Sequence, residues 1–210
     1  MKKEVVIIVA GTKYINSKIP FIKKLLLRLY QLVRNSEPVY QNYAKDYGHK
    51  IRREGREIIY LDWDRGFTSF SVRKGKNKLK EQALDLISKG YRVSILGISL
   101  GGDIALRVIN ELKDGDVDKV VLICSVNVDN TMDKERTKFL NIYSSDDLLA
   151  EIAIKLKAPI HGGDALEGNS VKNILINGFG HNQFCTDEVI DCGEYKGNRI
   201  SDLVKDFLDC

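Results

Sequence analysis

The residue with the clearest chemical potential is Ser99, which lies in a turn rich in glycine. It stands at the centre of Gly97–Gly102 (Gly-Ile-Ser-Leu-Gly-Gly), a match to the pattern Gly-x-Ser-x-Gly. An apolar run precedes this motif and a segment with helical spacing follows it, so we expect a sharp turn that lifts the hydroxyl above a sheet. In that geometry the N–H of Leu100 faces the reaction centre, close to the positive end of the next helix. The motif therefore predicts Ser99 as a nucleophile and Leu100 as an oxyanion-hole donor.

A nucleophilic serine needs a neighbouring base and a carboxylate that orients the base. Both residue types follow later strand-like runs. The run that ends at Tyr143 leads into Asp146 and Asp147, and a further run leads into the loop that holds His181. We predict His181 as the base and Asp147, four residues after Tyr143, as the acid. Asp146 is the alternative acid, and its other interpretation is an N-cap for a helix over Leu148–Leu156.

Two further histidines compete with His181 for the role of base. His49 lies in a polar, basic stretch, where exposure to solvent is expected. His161 precedes two glycines, which favour a turn, and it follows no predicted strand. Both positions therefore fit a catalytic base less well than His181.

Elements that could position these residues alternate along the chain. Short runs rich in Val and Ile, apolar on both faces, are typical of strands in a parallel sheet that helices cover on both sides. Six runs have this character: Val5–Ala10, Glu57–Leu61, Arg92–Gly97, Lys119–Ser125, Phe139–Tyr143 and Lys172–Asn177. Helical faces between and after them are formed by Leu79, Ala83, Leu84 and Ile87, by Ile104, Ala105, Val108, Ile109 and Leu112, and by Leu203, Val204, Phe207 and Leu208. This alternation predicts a single α/β domain over residues 1–210, built on a mostly parallel sheet of about six strands.

Two polar segments interrupt the alternation. Asn35–Glu54 is predicted as a long connection with room for one helical turn, and Pro159–Ser170 as a second loop. Loops of this length in α/β domains often border a site.

The composition excludes several classes of protein. The 210 residues are 43% hydrophobic and 30% charged, which fits a globular chain rather than a disordered one. No apolar run approaches the ~20 residues of a membrane-spanning helix, and Val5–Ala10 is too short for the core of a signal peptide. Cys124, Cys185, Cys192 and Cys210 form no Cys-x-x-Cys pair and no metal-ligand spacing with the histidines. We therefore expect a reduced, cytoplasmic protein with no disulfide framework, no metal site and no cofactor.

The net charge of the chain is +4, but basic and acidic residues are distributed unevenly along the sequence. Residues 1–80 carry 19 Lys/Arg and 7 Asp/Glu, whereas residues 81–210 carry 14 and 22. A basic half can mark a surface for nucleic acid or anionic lipid, but long basic runs are commonly solvated faces. Because the chain has no base-reading motif, no nucleic-acid partner is expected.

The order and setting of these motifs resemble the α/β-hydrolase superfamily, in particular its compact lipase-like and esterase-like members. Five segments in the expected order carry the resemblance: Val5–Gly11, Tyr60–Gly66, Gly97–Gly102, Tyr143–Asp147 and Gly178–His181. One departure is Ile98, since the residue before the serine is often histidine in these lipases. The resemblance implies a serine hydrolase that cleaves carboxylic esters through an acyl-enzyme on Ser99.

The resemblance also implies a role for the first strand. In such enzymes the turn after this strand supplies the second N–H of the oxyanion hole, which assigns that role to Thr12 beside Leu100. Trp63 lies where several relatives have a turn after the second strand, and packing is the expected role of its ring. Since the chain begins at the oxyanion strand and has only residues 126–138 where many relatives carry a cap, we expect a reduced N-terminal hairpin and no large cap domain.

Pro20–Arg34 has the pattern of an amphipathic helix with one apolar and one basic stripe. We expect it to cover the sheet as the first crossover helix, and weak contact with an anionic membrane surface is the alternative.

The expected substrate is a small-molecule or lipid ester. Two other functions stay open, namely thioester or amide hydrolysis by the same residues and a non-catalytic interaction module with this fold.

Overall fold

The computed structural model describes residues 2–11, 43–65, 68–127, 131–147, 161–162 and 165–210. Three of the sequence predictions lie outside these residues: the role of Thr12, the helix at residues 20–34 and the helix at residues 148–156.

Strands and helices alternate within the described part of the chain. The strands are β1 (Glu4–Val9), β2 (Arg56–Tyr60), β3 (Arg92–Ile98), β4 (Lys119–Ile123), β5 (Val126–Asn127), β6 (Lys138–Tyr143), β7 (His161–Gly162) and β8 (Val171–Leu175). The helices are α1 (Tyr43–Ile51), α2 (Ser69–Ser88), α3 (Leu100–Glu111), α4 (His181–Thr186) and α5 (Ile200–Asp209). The six strands predicted from the sequence are confirmed, with ends that move by no more than two residues.

Six of the strands form one sheet in the order β2-β1-β3-β4-β6-β8. Every neighbouring pair in it is parallel. Because the strands all run the same way, the segments that follow them meet at one edge of the sheet, where ligands bind in open α/β sheets. Segments that are far apart in the sequence are brought together there.

Helices cover both faces of this sheet, as predicted. On one face Ile7 and Ile95 of the sheet pack with Leu79 of α2 and Ile104 of α3. The opposite face packs against α1, α4 and α5, and its core contains Ile8, Leu96, Tyr47, Phe184 and Val204. Side chains that alternate along β1 and β3 enter opposite cores, which explains why these strands are apolar at successive positions.

Helix α1 corrects the prediction of a long connection over residues 35–54. Tyr47 and Ile51 lie one turn apart and are fully buried, whereas His49 is exposed, as expected. The hydroxyl of Tyr47 donates a hydrogen bond of 2.7 Å to the carbonyl of Phe184, so its polar atom is satisfied in the core. Two apolar residues on one turn form too narrow a stripe to be recognised among polar neighbours.

Two smaller predictions were also wrong. Leu84, expected on the buried face of α2, is 42% exposed, and Leu86 is buried in its place because it lies on the stripe of Leu79 and Ala83. The segment 159–170, predicted as a loop, contains β7, which pairs with β5 in an antiparallel ladder.

In the described residues, no helix combines the length and the apolar character needed to cross a membrane.

Candidate active site

Ser99 lies on the turn between β3 and α3 with φ 55° and ψ −128°. A positive φ strains a residue with a side chain and persists only where the surroundings enforce it. The surroundings here include closely packed glycines, since a Cβ on Gly97 would lie 2.6 Å from the Cα of Gly102. Helix α3 begins at Leu100, so Gly101 and Gly102 of the motif belong to its first turn, whereas Gly97 lies on β3.

The hydroxyl of Ser99 contacts His181 instead of capping the helix that it precedes. Serine at such a position ordinarily accepts a hydrogen bond from the first helical N–H groups, and Ser99 makes none. Its Oγ lies 2.9 Å from Nε2 of His181, and Nδ1 of the same ring lies 2.7 Å from Oδ2 of Asp147. The structure thus brings together the three side chains that the sequence singled out as nucleophile, base and acid.

Asp146, the alternative acid, has a different contact. Its Oδ2 accepts a hydrogen bond of 2.7 Å from the N–H of Gly178, and its own N–H donates to the hydroxyl of Ser144 at 3.1 Å. Asp146 is exposed, whereas Asp147 is 3% exposed. Of the two carboxylates, Asp147 is therefore the one that contacts the imidazole, and Asp146 supports the loop before it.

The surroundings of His181 favour its charged form. Burial lowers its pKa, but the negative charge of Asp147 and the hydrogen bond between the two side chains raise it, and the pKa rises from 6.5 to about 9. The side chain is 15% exposed, so solvent screens this interaction only weakly. The site therefore stabilises the imidazolium ion that forms when His181 takes a proton from Ser99.

Helix α4, which begins at His181, is held by α1 and α5. Besides the bond from Tyr47 to Phe184, the buried Asp187 at the end of α4 accepts hydrogen bonds from the N–H and Oγ of Ser201 at 2.8 and 2.7 Å. Asp187 also pairs with Lys50 of α1. The sequence analysis treated this segment as a loop, because a helix of six residues is too short to show a periodic pattern.

The end of β1 lies directly against the nucleophile. A Cβ on Gly11 would be 2.8 Å from the Cβ of Ser99, so only glycine allows this approach. Leu100 is the first residue of α3, and the first N–H groups of a helix have no carbonyl partner within it. Thr12, the second predicted donor of the oxyanion hole, follows Gly11 and lies outside the described residues.

Two side chains after β2 hold the carbonyl groups at the end of β1. The indole N–H of Trp63 donates to the carbonyl of Ala10 at 3.1 Å, and Nε of Arg65 donates to the carbonyl of Gly11 at 2.5 Å. Arg65 also donates to the hydroxyl of Tyr43 at 2.9 Å. Trp63 is 8% exposed, which agrees with the packing role predicted for its ring.

Two cysteines lie beside His181, although their spacing in the sequence indicated no such site. Cys124 follows β4, the neighbour of β3, and Cys185 lies one helical turn after His181 on α4. The two sulfur atoms and a ring nitrogen of His181 all lie within 4.8 Å of one another. Burial raises the pKa of the Cys124 thiol well above its usual range. Thiol and imidazole ligands of this kind can hold a soft metal ion.

A helical register for residues 181–186 is the signal that could have indicated part of this cluster. His181 and Cys185 are four residues apart, a spacing that places two side chains on the same face of a helix. No signal in the sequence indicates Cys124, because its proximity depends on the order of strands in the sheet.

No protein-family model matches the chain, and no curated protein matches it. Several solved structures are similar to it. A protein from Xanthomonas campestris pv. campestris, described as a hydrolase of the alpha/beta superfamily, has 16% identity and a TM-score of 0.51, with 87% of this chain and 90% of that chain covered. An esterase from Exiguobacterium antarcticum has 13% identity and a TM-score of 0.52, with 87% of each chain covered.

A protein from Thermus thermophilus is similar over 99% of this chain and 88% of its own, with 14% identity and a TM-score of 0.51. At such low identity the likeness concerns the course of the backbone rather than the chemistry. It agrees with the parallel sheet and its covering helices described above. The chain has the α/β-hydrolase fold.

Proposed function

We propose that the protein is a serine hydrolase that cleaves carboxylic esters through an acyl-enzyme on Ser99. The observation that carries this proposal is the hydrogen-bonded series from Ser99 through His181 to Asp147, with distances of 2.9 and 2.7 Å. The strained turn that presents the serine adds support, and so does the presence of an esterase among the structures with this fold.

In the proposed acylation step, Oγ of Ser99 attacks the carbonyl carbon of the ester while Nε2 of His181 takes the hydroxyl proton. The negative charge of Asp147 stabilises the resulting imidazolium ion and keeps its ring oriented. The N–H of Leu100 stabilises the oxyanion of the tetrahedral intermediate, with the N–H of Thr12 as the proposed second donor. The imidazolium then gives its proton to the departing alcohol, and the acyl group stays on Ser99.

Deacylation repeats these steps with water. Nε2 of His181 takes a proton from a water molecule as the water oxygen attacks the acyl carbonyl. Collapse of the second tetrahedral intermediate releases the carboxylic acid and returns the proton to Ser99. The same groups therefore serve both halves of the reaction.

Labelling with a fluorophosphonate probe tests whether Ser99 is the nucleophile. We expect stoichiometric labelling of the wild-type protein and none of Ser99→Ala. Ser94 provides a matched control, because it is buried on β3, the strand before Ser99, and its hydroxyl has no hydrogen-bond partner among the described residues. Ser94→Ala should be labelled like the wild type, and a folded wild-type protein that resists the probe would favour a non-catalytic interaction module instead.

A series of p-nitrophenyl esters of increasing chain length tests the substrate class. We expect the wild type to hydrolyse these esters much faster than Ser99→Ala does. Thioester and amide substrates measured alongside decide between the acyl chemistries that the same residues support. A thioester or amide turned over much faster than any ester would make the ester assignment wrong.

A further inference from the structure

We propose that Cys124, Cys185 and His181 form a binding site for a soft divalent metal ion, best matched by zinc, and that its occupancy blocks hydrolysis at Ser99. The binding part of this proposal depends only on the three side chains. The inhibitory part rests on the proposed function, and the two parts are tested by separate measurements.

The donor set matches zinc in type and in spacing. Thiolates and neutral imidazole are preferred zinc ligands, and tetrahedral bond lengths of about 2.0 to 2.3 Å place ligand atoms on one ion about 3.5 to 3.8 Å apart. The three ligand atoms already lie within 4.8 Å of one another. An inward movement of about 1 Å or less per atom, within the reach of side-chain rotation, therefore forms the site. Water can occupy the fourth position, as in other zinc sites with three protein ligands.

The ligands lie on elements that the fold holds in place. Cys185 and His181 share α4, which Tyr47 and Asp187 attach to α1 and α5. Cys124 follows β4, and its N–H continues the sheet by donating to the carbonyl of Ile142 at 2.9 Å. The site is thus largely formed before an ion arrives, so little ordering opposes binding.

Metal binding competes directly with the hydrogen bonds of His181. Nδ1 of its ring contacts Asp147 and Nε2 contacts Ser99, so an ion bound at either nitrogen displaces one of these contacts. An ion on Nε2 occupies the lone pair that would accept the proton of Ser99. An ion on Nδ1 leaves the hydrogen of the neutral ring on Nε2, which then cannot act as a base. Both modes block the reaction.

The binding step is balanced by proton release. The ion forms bonds to two sulfur atoms and one ring nitrogen. Each thiol loses one proton to solvent, and a charged His181 also loses one of its two ring protons. No oxidant or reductant takes part. Removal of the ion by a chelator, with protons returning to the two sulfurs and to the imidazole, therefore restores the free site.

Cobalt(II) is a suitable probe for binding, because cobalt–thiolate bonds absorb in the near ultraviolet. The experiment uses the full chain, reduced and kept without oxygen, in a background in which Cys192 and Cys210 are changed to serine. Both residues are exposed, so these substitutions remove competing thiols, and the resulting background protein is the matched control for the ligand variants. We expect one equivalent of cobalt to give the thiolate band in the background protein and in wild type, and zinc to displace it.

Substitution of the ligands decides where the ion binds. Cys185→Ser and Cys124→Ala should each weaken cobalt binding on the order of 10-fold or more. Ser99→Ala should keep the band, which separates metal binding from catalysis. The site is wrong if the background protein gives no band or if the band survives in the double variant Cys124→Ala/Cys185→Ala. If Cys124→Ala does not fold, Cys185→Ser alone gives the decision.

Ester hydrolysis tests the consequence of binding. One equivalent of zinc should lower the rate of the background protein on the order of 10-fold, EDTA should restore it, and Cys185→Ser should respond much less relative to its own rate without zinc. Inhibition that a reductant reverses but EDTA does not would indicate a disulfide and overturn the metal proposal. A cobalt band with full hydrolysis in saturating metal would overturn the inhibitory part. A band in a protein without any metal-free hydrolase activity would instead reject the proposed function and keep the binding site.

Discussion

Two neighbouring carboxylates near the imidazole differ in what they contact. Asp147 is buried against the ring of His181, whereas Asp146 is exposed and accepts a backbone hydrogen bond from Gly178. Asp147 therefore orients the ring of His181, whereas Asp146, its neighbour in the sequence, supports the loop that leads to His181. Their proposed roles can be separated by substitution.

Asp147→Asn should lower kcat for a p-nitrophenyl ester on the order of 10⁴-fold. The amide can donate a hydrogen to Nδ1, which stabilises the tautomer with its own hydrogen on Nε2, and it carries no charge to stabilise the imidazolium. Asp146→Asn is the matched control, because the amide oxygen can still accept the hydrogen bond from Gly178. If Asp146→Asn loses as much activity as Asp147→Asn, the assignment of the acid is wrong.

The raised pKa of His181 predicts an alkaline pH profile. The base must be neutral to accept a proton, so kcat/KM should increase as the pH rises towards the histidine pKa of about 9 and should level off above it. The measurement is kcat/KM for an ester across this range, corrected for spontaneous hydrolysis. A profile that levels off at the ordinary histidine value of 6.5 would contradict the strong effect of Asp147.

At the scale of single elements, the turn between β3 and α3 depends on glycines packed against backbone. A Cβ on Gly97 would lie 2.6 Å from the Cα of Gly102, which belongs to the helix and cannot rotate away. Gly180, before His181, is different: its φ is −81°, and an added Cβ would meet only Oε1 of Gln183 at 3.7 Å. The two glycines are therefore a matched pair for substitution.

Gly97→Ala should destabilise the protein by about 1–3 kcal/mol, the usual cost of overpacking, and displace Ser99 from the imidazole. Gly180→Ala should leave both the free energy of unfolding and the ester activity close to those of the wild type. Urea unfolding and kcat measured on the same preparations check both expectations. Wild-type activity in a folded Gly97→Ala variant would show that the turn tolerates a Cβ.

At the scale of the whole molecule, part of the uneven charge distribution is neutralised by contacts between the two halves of the chain. Lys50 pairs with Asp187, Arg56 with Asp209, and Lys76 and Lys80 with Glu111. Some of the basic residues of the first 80 positions therefore have acidic partners from the later part. This reduces the basic surface that the sequence suggested for an anionic partner.

A buried cluster of charges within the first 80 residues surrounds Glu4, which lies at the start of β1, at the end of the sheet opposite Ser99. Glu4 accepts hydrogen bonds from Arg53 at 2.9 Å and from Nε of Arg56 at 3.1 Å, and the side chain of Arg56 is fully buried. Burial raises the pKa of Glu4, but both arginines lower it, and the net pKa falls below 4.5. The resulting stabilisation is present above pH 4.5 and is lost as the pH falls through the lowered pKa.

Glu4→Ala should reduce the free energy of unfolding by about 3 kcal/mol, because Arg56 then keeps a buried charge with fewer acidic partners. Glu57→Ala is the matched control: this residue is exposed on the neighbouring strand, and its loss should change stability by less than about 0.5 kcal/mol. Urea unfolding at neutral pH measures the difference. Equal effects of the two substitutions would show that the buried ion cluster contributes little.

Local patterns in the sequence were sufficient for much of the architecture. Runs of Val and Ile predicted the six strands, and the Gly-x-Ser-x-Gly turn placed Ser99 after β3. Asp147 and His181 could be singled out because each follows a later strand, and parallel strands bring their ends to one edge. The structure brings these three side chains into contact, while their catalytic roles stay a proposal.

Other features depend on which elements become neighbours in space, and no local pattern records that. Helix α1 is stable because Tyr47 and Ile51 pack against the sheet. Helix α4 is held by Tyr47, which is more than a hundred residues away in the sequence, and by Ser201 of α5. The cluster of Cys124, Cys185 and His181 exists because β4 lies beside β3 and α4 returns over their ends. Local patterning follows from backbone propensity and hydrophobic periodicity, whereas these contacts follow from strand order and packing across long separations in the chain.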